Sequence, residues 1–270
     1  MNEAALEALA GELVALHDEA GQATPFSERY ADLDPEAGYR AAGRLHAARL
    51  ARGWQPVGRK IGFTNRTIWK RYGVYEPMWG TIYDRTLIRA EQNRATVALA
   101  GLVQPRIEPE LCCRLKAPPP RTDDPERLLA AIEWLAHSVE IVQCHHPAWK
   151  VRIADCTADN GLHGRLILGT PVPVAELGDL AARLPALEVT LSRAGKAVDH
   201  GIGSNVLDSP LNALAFLVEV LAKQPDAPPL AAGEIITTGT LTDAHPVAPG
   251  ERWSTSLSGL PLAGLTIDFS

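Results

Sequence analysis

An α+β fold, helical at its start and β-rich thereafter, is predicted by three observations. Apolar residues recur at three- and four-residue spacing over residues 3–50. From Val57 onward short runs alternate or cluster as strands do. Capping residues, prolines and glycines punctuate both kinds of segment. The division expected is 1–75, an N-terminal helical region, and 76–270, a β-rich part that carries the candidate chemistry.

Leu6, Leu9, Leu13 and Leu16 share one face of a helix over 3–19, with Gly21 placed to end it. Asp34-Pro35-Glu36 supplies an N-cap, a first-turn proline and an acid at the positive end of the dipole. That second helix runs through Tyr39, Leu45 and Leu50 to Gly53. A strand follows, with Val57, Ile61 and Phe63 on one face and Lys60 between Gly58 and Gly62 on the other. Glycines there suit close approach of another group to the backbone, so Lys60 either faces a ligand or is a solvated strand lysine. Thr64-Asn65 caps a short helix with Ile68, Trp69 and Tyr72, closed by Gly73, and residues 77–84 form a turn leading into an extended segment.

A strand over 106–115 and a Pro-rich loop at 117–120 come next. Asp124-Pro125-Glu126 then opens a helix expected to carry Leu128, Leu129, Ile132 and Leu135, and to deliver the chain to a strand at 138–142. Residues 154–161 read as a polar, turn-prone insert before Leu166-Ile167-Leu168. Leu187–Leu191 with a hairpin through Ala194-Gly195-Lys196, a helix begun by Ser209-Pro210, and strands near 235–238 and 265–269 finish the chain.

With 270 residues, 46% hydrophobic and 21% charged, the chain can bury the core of an ordinary globular protein. Net charge is −6 and basic residues do not cluster with aromatics, which argues against nucleic acid as a partner. The first residues, Met-Asn-Glu-Ala-Ala-Leu-Glu, lack the basic start and apolar core of a signal peptide. No apolar run is long enough to span a bilayer, so a cytoplasmic address and no membrane partner are expected. Cys112, Cys113, Cys144 and Cys156 form no C-x-x-C pair and read as small buried hydrophobes. His145 and His146 are adjacent on extended backbone and point to opposite sides, which disfavours a shared zinc ion. His200–Asn205 lacks the third glycine of a dinucleotide fingerprint and a Walker lysine.

The most informative stretch is Pro105–Cys113. Extended, it sets Ile107, Leu111 and Cys113 on one face and Glu108 with Glu110 on the other, about 7 Å or less apart. Two such carboxylates repel unless a cation or a shared proton lies between them. Glu140 places a third acid in the apolar run 138–142. Either Glu108, Glu110 and Glu140 hold a hard cation, Mg²⁺ or Mn²⁺, or the alternation marks a strand with one wet face.

In order, Gly58-Arg59-Lys60-Ile61-Gly62-Phe63-Thr64, Pro105-Arg106-Ile107-Glu108-Pro109-Glu110, Val139-Glu140-Ile141-Val142 and Ala158-Asp159-Asn160 are present. Asp199-His200-Gly201-Ile202-Gly203, Pro210–Leu214 and Thr238-Gly239-Thr240-Leu241-Thr242 follow. As an ordered set spanning nearly the whole chain, these segments resemble the 2-oxopent-4-enoate hydratase and 4-oxalocrotonate decarboxylase branch of the fumarylacetoacetate hydrolase superfamily. The resemblance implies an N-terminal helical region followed by a mixed β-roll of the fumarylacetoacetase C-terminal-domain type. It also implies Mg²⁺ or Mn²⁺ on Glu108, Glu110 and Glu140, a substrate meeting Lys60, and Asp159, Asn160 and Thr240 lining the pocket. A homo-oligomer, pentamer or decamer, and association with a partner hydratase or decarboxylase are implied in the same way.

Two departures stand out. Many hydratases look like Pro-Asp, an aromatic residue and Gly where this chain has Pro77-Met78-Trp79-Gly80, which removes a possible acid. Small hydroxyl residues are common where Gly161-Leu162-His163 stands. Asp84, close by in sequence, is the candidate replacement acid. The expected reaction is addition of water to a 2-hydroxy-2,4-dienoate or its 2-oxo tautomer, giving a 4-hydroxy-2-oxo acid. Decarboxylation of a 2-oxo-3-enedioate is the alternative, and a non-catalytic partner subunit of such a lyase is the reading outside catalysis. No His-Glu water-activating pair of the acylpyruvate hydrolases is identifiable from the sequence.

Overall fold

The computed structural model describes residues 1–66, 69–72, 75–224 and 226–270. In chain order its main elements are α1 (Glu3–Glu19), α2 (Phe26–Arg29), α3 (Pro35–Ala51), β1 (Pro56–Gly62), α4 (Trp69–Tyr72), β2 (Met78–Tyr83), β3 (Leu87–Arg89) and β4 (Arg94–Val97). Then come β5 (Arg106–Leu115), α5 (Pro125–Leu129), β6 (Ile132–Val142), α6 (Ile153–Ala158), β7 (His163–Leu168), β8 (Val172–Pro173) and α7 (Leu180–Ala186). The chain closes with β9 (Glu188–Arg193), β10 (Lys196–Ile202), α8 (Pro210–Ala222), β11 (Ile235–Thr237), β12 (His245–Pro246), β13 (Arg252–Ser258) and β14 (Thr266–Phe269). Ile68 and Gly73, expected in the short helix that became α4, lie outside the described residues.

The caps act as their residue types predict. Asn2 accepts from the Ala5 N–H, Asp34 from Ala37 and Asp124 from Glu126. Leu6, Leu9, Leu13 and Leu16 are buried, packed with Ala37 and Ala41 of α3 and with Ala154 and Ala158 of α6. Helix α1 is closed by Ala20 in a left-handed conformation, one residue before the expected Gly21. A larger difference lies at residues 130–137. The spacing of Leu128, Leu129, Ile132 and Leu135 suits a helix, yet α5 stops at Leu129, and Ile132 and Leu135 belong to β6. Pairing of β6 with β5 from Ile132↔Leu115 onward overrides the local preference. The polar insert at 154–161 also gains structure, becoming α6 and a turn.

Two mixed sheets result. One has the order β2-β1-β11-β5-β6-β7-β3, with β12 also on β5 and β8 on β6; the other runs β10-β9-β13-β14-β4. Ile107, Val139, Ile141 and Ile167 of the first sheet meet Leu191, Trp253 and Ile267 of the second in one apolar cluster. A second cluster packs Leu211, Leu214 and Leu217 of α8 with Leu111, Cys113 and Leu115 of β5. All four cysteines are buried and free. Among the described residues no helix is long and apolar enough to cross a membrane.

The discontinuity that makes room for chemistry is on one side of β5. Strand β11 pairs with Cys112–Arg114 and β12 with Arg106–Ile107, so residues 238–244 bulge away beside Glu108 and Glu110. Pro109 sits in the middle of β5 because its backbone faces this irregular segment: its carbonyl accepts from the Leu241 N–H at 2.9 Å. A residue's N–H and C=O leave a strand on the same side, so the missing N–H costs no bond to β6.

Candidate active site

Register brings the acids together. Glu108 of β5 stands directly opposite Glu140 of β6, and Glu110 lies two residues along on the same face. One carboxylate oxygen from each falls within 4.8 Å of the others. Glu110 and Glu140 are 0% exposed and Glu108 is half-buried. A wet strand face is therefore excluded for the two deeper acids. Like charges directly across a ladder are destabilising, and burial adds a desolvation cost.

Lys60 brings a cation among them. It is 2% exposed, its Nζ lies 3.2 Å from Glu140 Oε2, and it donates to the Gly161 carbonyl at 2.9 Å. Along β1, strand β11 pairs with Gly58 and Arg59 and stops short of Lys60. Burial alone would discharge this amine, but Glu140, Glu108 and Glu110 together outweigh it and hold its pKa above the ordinary lysine range. Lys60 is thus a fixed positive charge, better suited to electrostatic work than to passing a proton. A Cβ added at Gly62 would meet both Lys60 Nζ and Met78 Cε at 3.0 Å, so the Met78 side chain and the ammonium flank the same glycine. Met78 packs with Cys156, Leu162 and Trp149, giving the lysine an apolar flank.

The four groups differ in how they tolerate burial. Glu140 is held below the ordinary carboxylate range because Lys60 and His163 more than offset desolvation. Desolvation pushes Glu108 up to about 7, with Lys60 opposing and Glu140 reinforcing the rise. Glu110 is driven well above its ordinary value by burial and by its two acidic neighbours. Its Oε2 accepts from the Gly239 N–H at 3.0 Å, and the carboxyl is fully buried, with the Thr237 side chain beside it. Three converging carboxyl groups beside one ammonium, two of them reluctant to ionise until a cation replaces their protons, fit a hard divalent ion. The donor set is all oxygen, which suits Mg²⁺, Mn²⁺ or Ca²⁺ rather than a thiophilic metal.

The Gly239 contact depends on the absence of a side chain. Its φ is 93°, and a Cβ there would stand 1.9 Å from Thr64 Oγ1. Gly239→Ala is expected to cost about 3 kcal/mol of stability through left-handed strain and overpacking, readable as a lowered urea midpoint at unchanged slope. A stability equal to wild type would mean that this backbone does not hold Glu110.

The remaining expected site residues have other placements. Asp159 is buried with its carboxylate facing His145 Nδ1 at 2.7 Å and His17 Nε2 at 2.8 Å. The Asn160 amide accepts from the Thr81 N–H and donates to the Thr81 carbonyl. Thr240 Oγ1 closes a turn with Thr242. The polar groups of all three make hydrogen bonds within the protein, and Asn160 also lines the groove beside Trp79 and Thr81. Asp84 is exposed and accepts from the Gln55 N–H, four residues beyond Gly80, the partner of Lys60 across β1 and β2. The structure does not bring it to the carboxylates. A groove of about 990 Å³ between α3, β2 and α8, lined by Tyr39, Arg59 and Trp79, likewise includes none of the three glutamates.

One functional neighbour went unseen. His163, noted only as a departure from relatives, faces Glu140 Oε1 with Nδ1 at 2.8 Å and Thr86 Oγ1 with Nε2 at 2.9 Å. A carboxylate only accepts, so Nδ1 carries the proton and the ring orients Glu140. The register of β7 on β6, with a bulge at Ile141/Val142, creates this contact, and no spacing within the sequence announces it.

Fold and site together define a chain of the fumarylacetoacetate hydrolase class: residues 82–267 match the family described as Fumarylacetoacetate (FAA) hydrolase C-terminal, and the chain belongs to that family. Among its relatives, a 2-hydroxyhexa-2,4-dienoate hydratase of Comamonas testosteroni is 31% identical over 242 residues, covering 87% of each chain. A 4-oxalocrotonate decarboxylase of Pseudomonas sp. is 31% identical over 207 residues, 76% of each. The solved 4-oxalocrotonate decarboxylase from Pseudomonas putida G7, complexed with magnesium and adipate, superposes with a TM-score of 0.90 at 25% identity, covering 100% of this chain and 99% of that one. The α+β architecture with N-terminal helices and a mixed roll is therefore that of the family.

Proposed function

We propose that this protein is a divalent-metal-dependent lyase that adds water to a 2-hydroxy-2,4-dienoate, through its 2-oxo tautomer, to give a 4-hydroxy-2-oxo acid. The observation that carries the reading is the convergence of Glu108, Glu110 and Glu140 beside the Lys60 ammonium. The names of the hydratase and decarboxylase relatives support the substrate class.

Glu108, Glu110 and Glu140 would hold Mg²⁺ or Mn²⁺. Such an ion, when bound, would grip the C1 carboxylate and C2 oxygen of a 2-oxo acid and stabilise negative charge on that oxygen. Lys60 has three N–H groups, of which the Gly161 carbonyl and Glu140 occupy two. The third is available to the C2 oxygen and adds fixed positive charge where the dienolate develops. His163 keeps Glu140 ionised and oriented. The apolar flank of Met78, Leu162 and Trp149 excludes water from one side of the lysine and accommodates the hydrocarbon chain. Protonation at C5 converts the dienol to a 2-oxo-3-enoate; water oxygen then bonds to C4, and the proton it sheds balances one taken up at C3.

A second reading is favoured by one observation. Met78 flanks Gly62 together with the Lys60 ammonium, at the position where many hydratases look to carry an acid. Decarboxylation of a 2-oxo-3-enedioate breaks the bond to the terminal carboxylate, sends its electrons to the same C2 oxygen and requires no acid at that position. Purified protein offered a panel of 2-hydroxydienoates and 2-oxo-enedioates separates the two by loss of dienol absorbance against CO₂ release. Either activity should vanish in EDTA and return with Mg²⁺ or Mn²⁺. Full turnover in chelator would refute the proposal, and activity only with an added partner lyase would favour the non-catalytic reading.

A pH dependence follows from Glu108. Its folded pKa of about 7 exceeds the ordinary glutamate value of 4.5, so the metal-free native state holds a proton that the unfolded chain releases. Between about pH 4.5 and 7 the metal-free protein therefore loses stability as pH rises, while a cation that displaces the proton binds more tightly. The gap in melting temperature between Mg²⁺-loaded and EDTA-treated protein should widen from about pH 5 to about pH 8. A gap independent of pH would remove Glu108 from the ligand set.

A further inference from the structure

Four buried polar side chains lie apart from the carboxylates, and the chemistry above uses none of them directly. Arg49 of α3 places Nη2 3.2 Å from His17 Nδ1 of α1. His17 Nε2 lies 2.8 Å from Asp159 Oδ1, and Asp159 Oδ2 lies 2.7 Å from Nδ1 of His145, which follows β6. A guanidinium only donates, so His17 Nδ1 accepts and its Nε2 carries the proton toward Asp159. The trio His17, His145 and Asp159 has the spacing of a metal site, but this tautomer leaves His17 no lone pair for an ion. Burial holds His17 down to about 4, so it is a neutral donor. Burial would raise Asp159, yet His145 and His17 hold it well below the ordinary carboxylate range. Asp159 is thus a buried anion hydrogen-bonded by His145 on one side, with His17 Nε2 in contact at 2.8 Å on the other.

What it grips is an unfavourable turn. Asn160, Gly161 and Leu162 follow Asp159 with φ of 50°, 65° and 62°, and two of the three are not glycine. Each non-glycine residue in the left-handed region costs about 1–2 kcal/mol, and such a turn persists only where its surroundings over-determine it. Asn160 is pinned to Thr81 by two hydrogen bonds, and a Cβ on Gly161 would lie 3.2 Å from the Gly80 nitrogen. The turn then enters the candidate site twice. The Gly161 carbonyl accepts from Lys60, and His163, the next residue but one, meets Glu140.

We propose that Arg49, His17, Asp159 and His145 form a positioning device that locks the left-handed turn 160–162, and through it sets Lys60 and Glu140. Helix α1 thereby becomes part of the working site although it touches none of the reacting groups. Asp159 and Asn160 are positioning residues rather than substrate contacts. The consequence for turnover rests on the lyase reading above; the consequence for the turn does not.

His17 supplies the test, because glutamine and leucine divide its properties. Gln keeps an N–H donor toward Asp159, whereas Leu keeps an apolar volume and removes the donor. With Mn²⁺-loaded protein, His17→Leu is expected to lower kcat about 30- to 100-fold, the cost of a displacement near 1 Å at the reacting groups. The Mn²⁺ dissociation constant should rise by about 3-fold or more, since the displaced turn carries His163, the partner of Glu140. Amides 160–163 should exchange with deuterium about tenfold faster. His17→Gln should recover most of both losses, and Asp159→Asn should reproduce the leucine pattern. A role confined to filling space predicts the opposite order, with Leu better than Gln. Equal kcat and equal exchange in the two variants, or a kcat loss without faster exchange at 160–163, would overturn the device. If wild-type protein turned over none of the 2-oxo acids, that would count against the lyase reading, and the exchange measurement would still decide the clamp.

Discussion

Replacing Lys60 by methionine is expected to lower kcat about 10³-fold while tightening the divalent cation about tenfold or more. The first effect is the loss of a preorganised charge at the developing enolate oxygen, where removal of one donor costs about 10²–10³ in rate. The second has the opposite sign because Lys60 competes with the metal for the same carboxylates: its Nζ lies 3.2 Å from Glu140 Oε2. Methionine is unbranched and of similar length, so the 2% exposed position stays filled. Two titrations decide the matter, one of Mn²⁺ binding and one of turnover. Weaker Mn²⁺ binding in Lys60→Met would show that the lysine supports the ion site rather than facing it. The folded pKa of Lys60 is raised, so its ammonium contributes stability below the unfolded lysine value and loses it only as pH rises through the higher folded one. The variant's turnover should therefore stay low across about pH 6–9, with no alkaline range in which wild type falls to meet it.

Glu140→Gln is expected to cost at least about 10³ in turnover, and to destabilise the metal-free protein by about 3–5 kcal/mol. Breaking a buried ion pair leaves the surviving charge uncompensated, and here the survivor is Lys60. The amide also offers a weaker ligand, so Mn²⁺ affinity should fall together with stability. Glu108→Gln makes the informative contrast. Glu108 already holds a proton near neutral pH in the metal-free state, its pKa lying at about 7. Its amide should weaken metal binding while leaving the metal-free protein as stable as wild type at neutral pH, or more so above it. Urea melts in EDTA paired with Mn²⁺ titrations separate the two variants. Equal loss of metal-free stability in both would contradict the assignment of Glu140 as the ionised partner of Lys60.

Much of the site was legible before any coordinates. Alternation along 106–115 put Glu108 and Glu110 on one face, and the apolar run 138–142 made Glu140 conspicuous. Glycines on both sides of Lys60 suggested that something approaches that strand, and Met78 flanking Gly62 is part of it. Asp84 rests on proximity in sequence alone, and the structure places it exposed, four residues beyond Gly80, the partner of Lys60. Asp159, Asn160 and Thr240 make hydrogen bonds that tie their own segments to the rest of the protein, which no periodicity in the sequence announces. His163 looked like a lost hydroxyl when it was read along the chain, and looks like a partner of Glu140 when it is read across the sheet.

By itself, the sequence determined what depends on neighbours a few residues apart: the leucine face of α1, the capped starts of α3, α5 and α8, the shared face of Glu108 and Glu110, and the ordered motifs that mark the family. Tertiary structure decided what depends on pairing between distant segments. It set Glu140 opposite Glu108, brought Lys60 to Glu140, drew Ile132 and Leu135 out of a helix into β6, and joined His17 to Asp159. The physical reason is that helical and strand periodicity are local properties of the chain, whereas register, burial and the pKa of a buried acid are fixed by which strand comes to lie beside which.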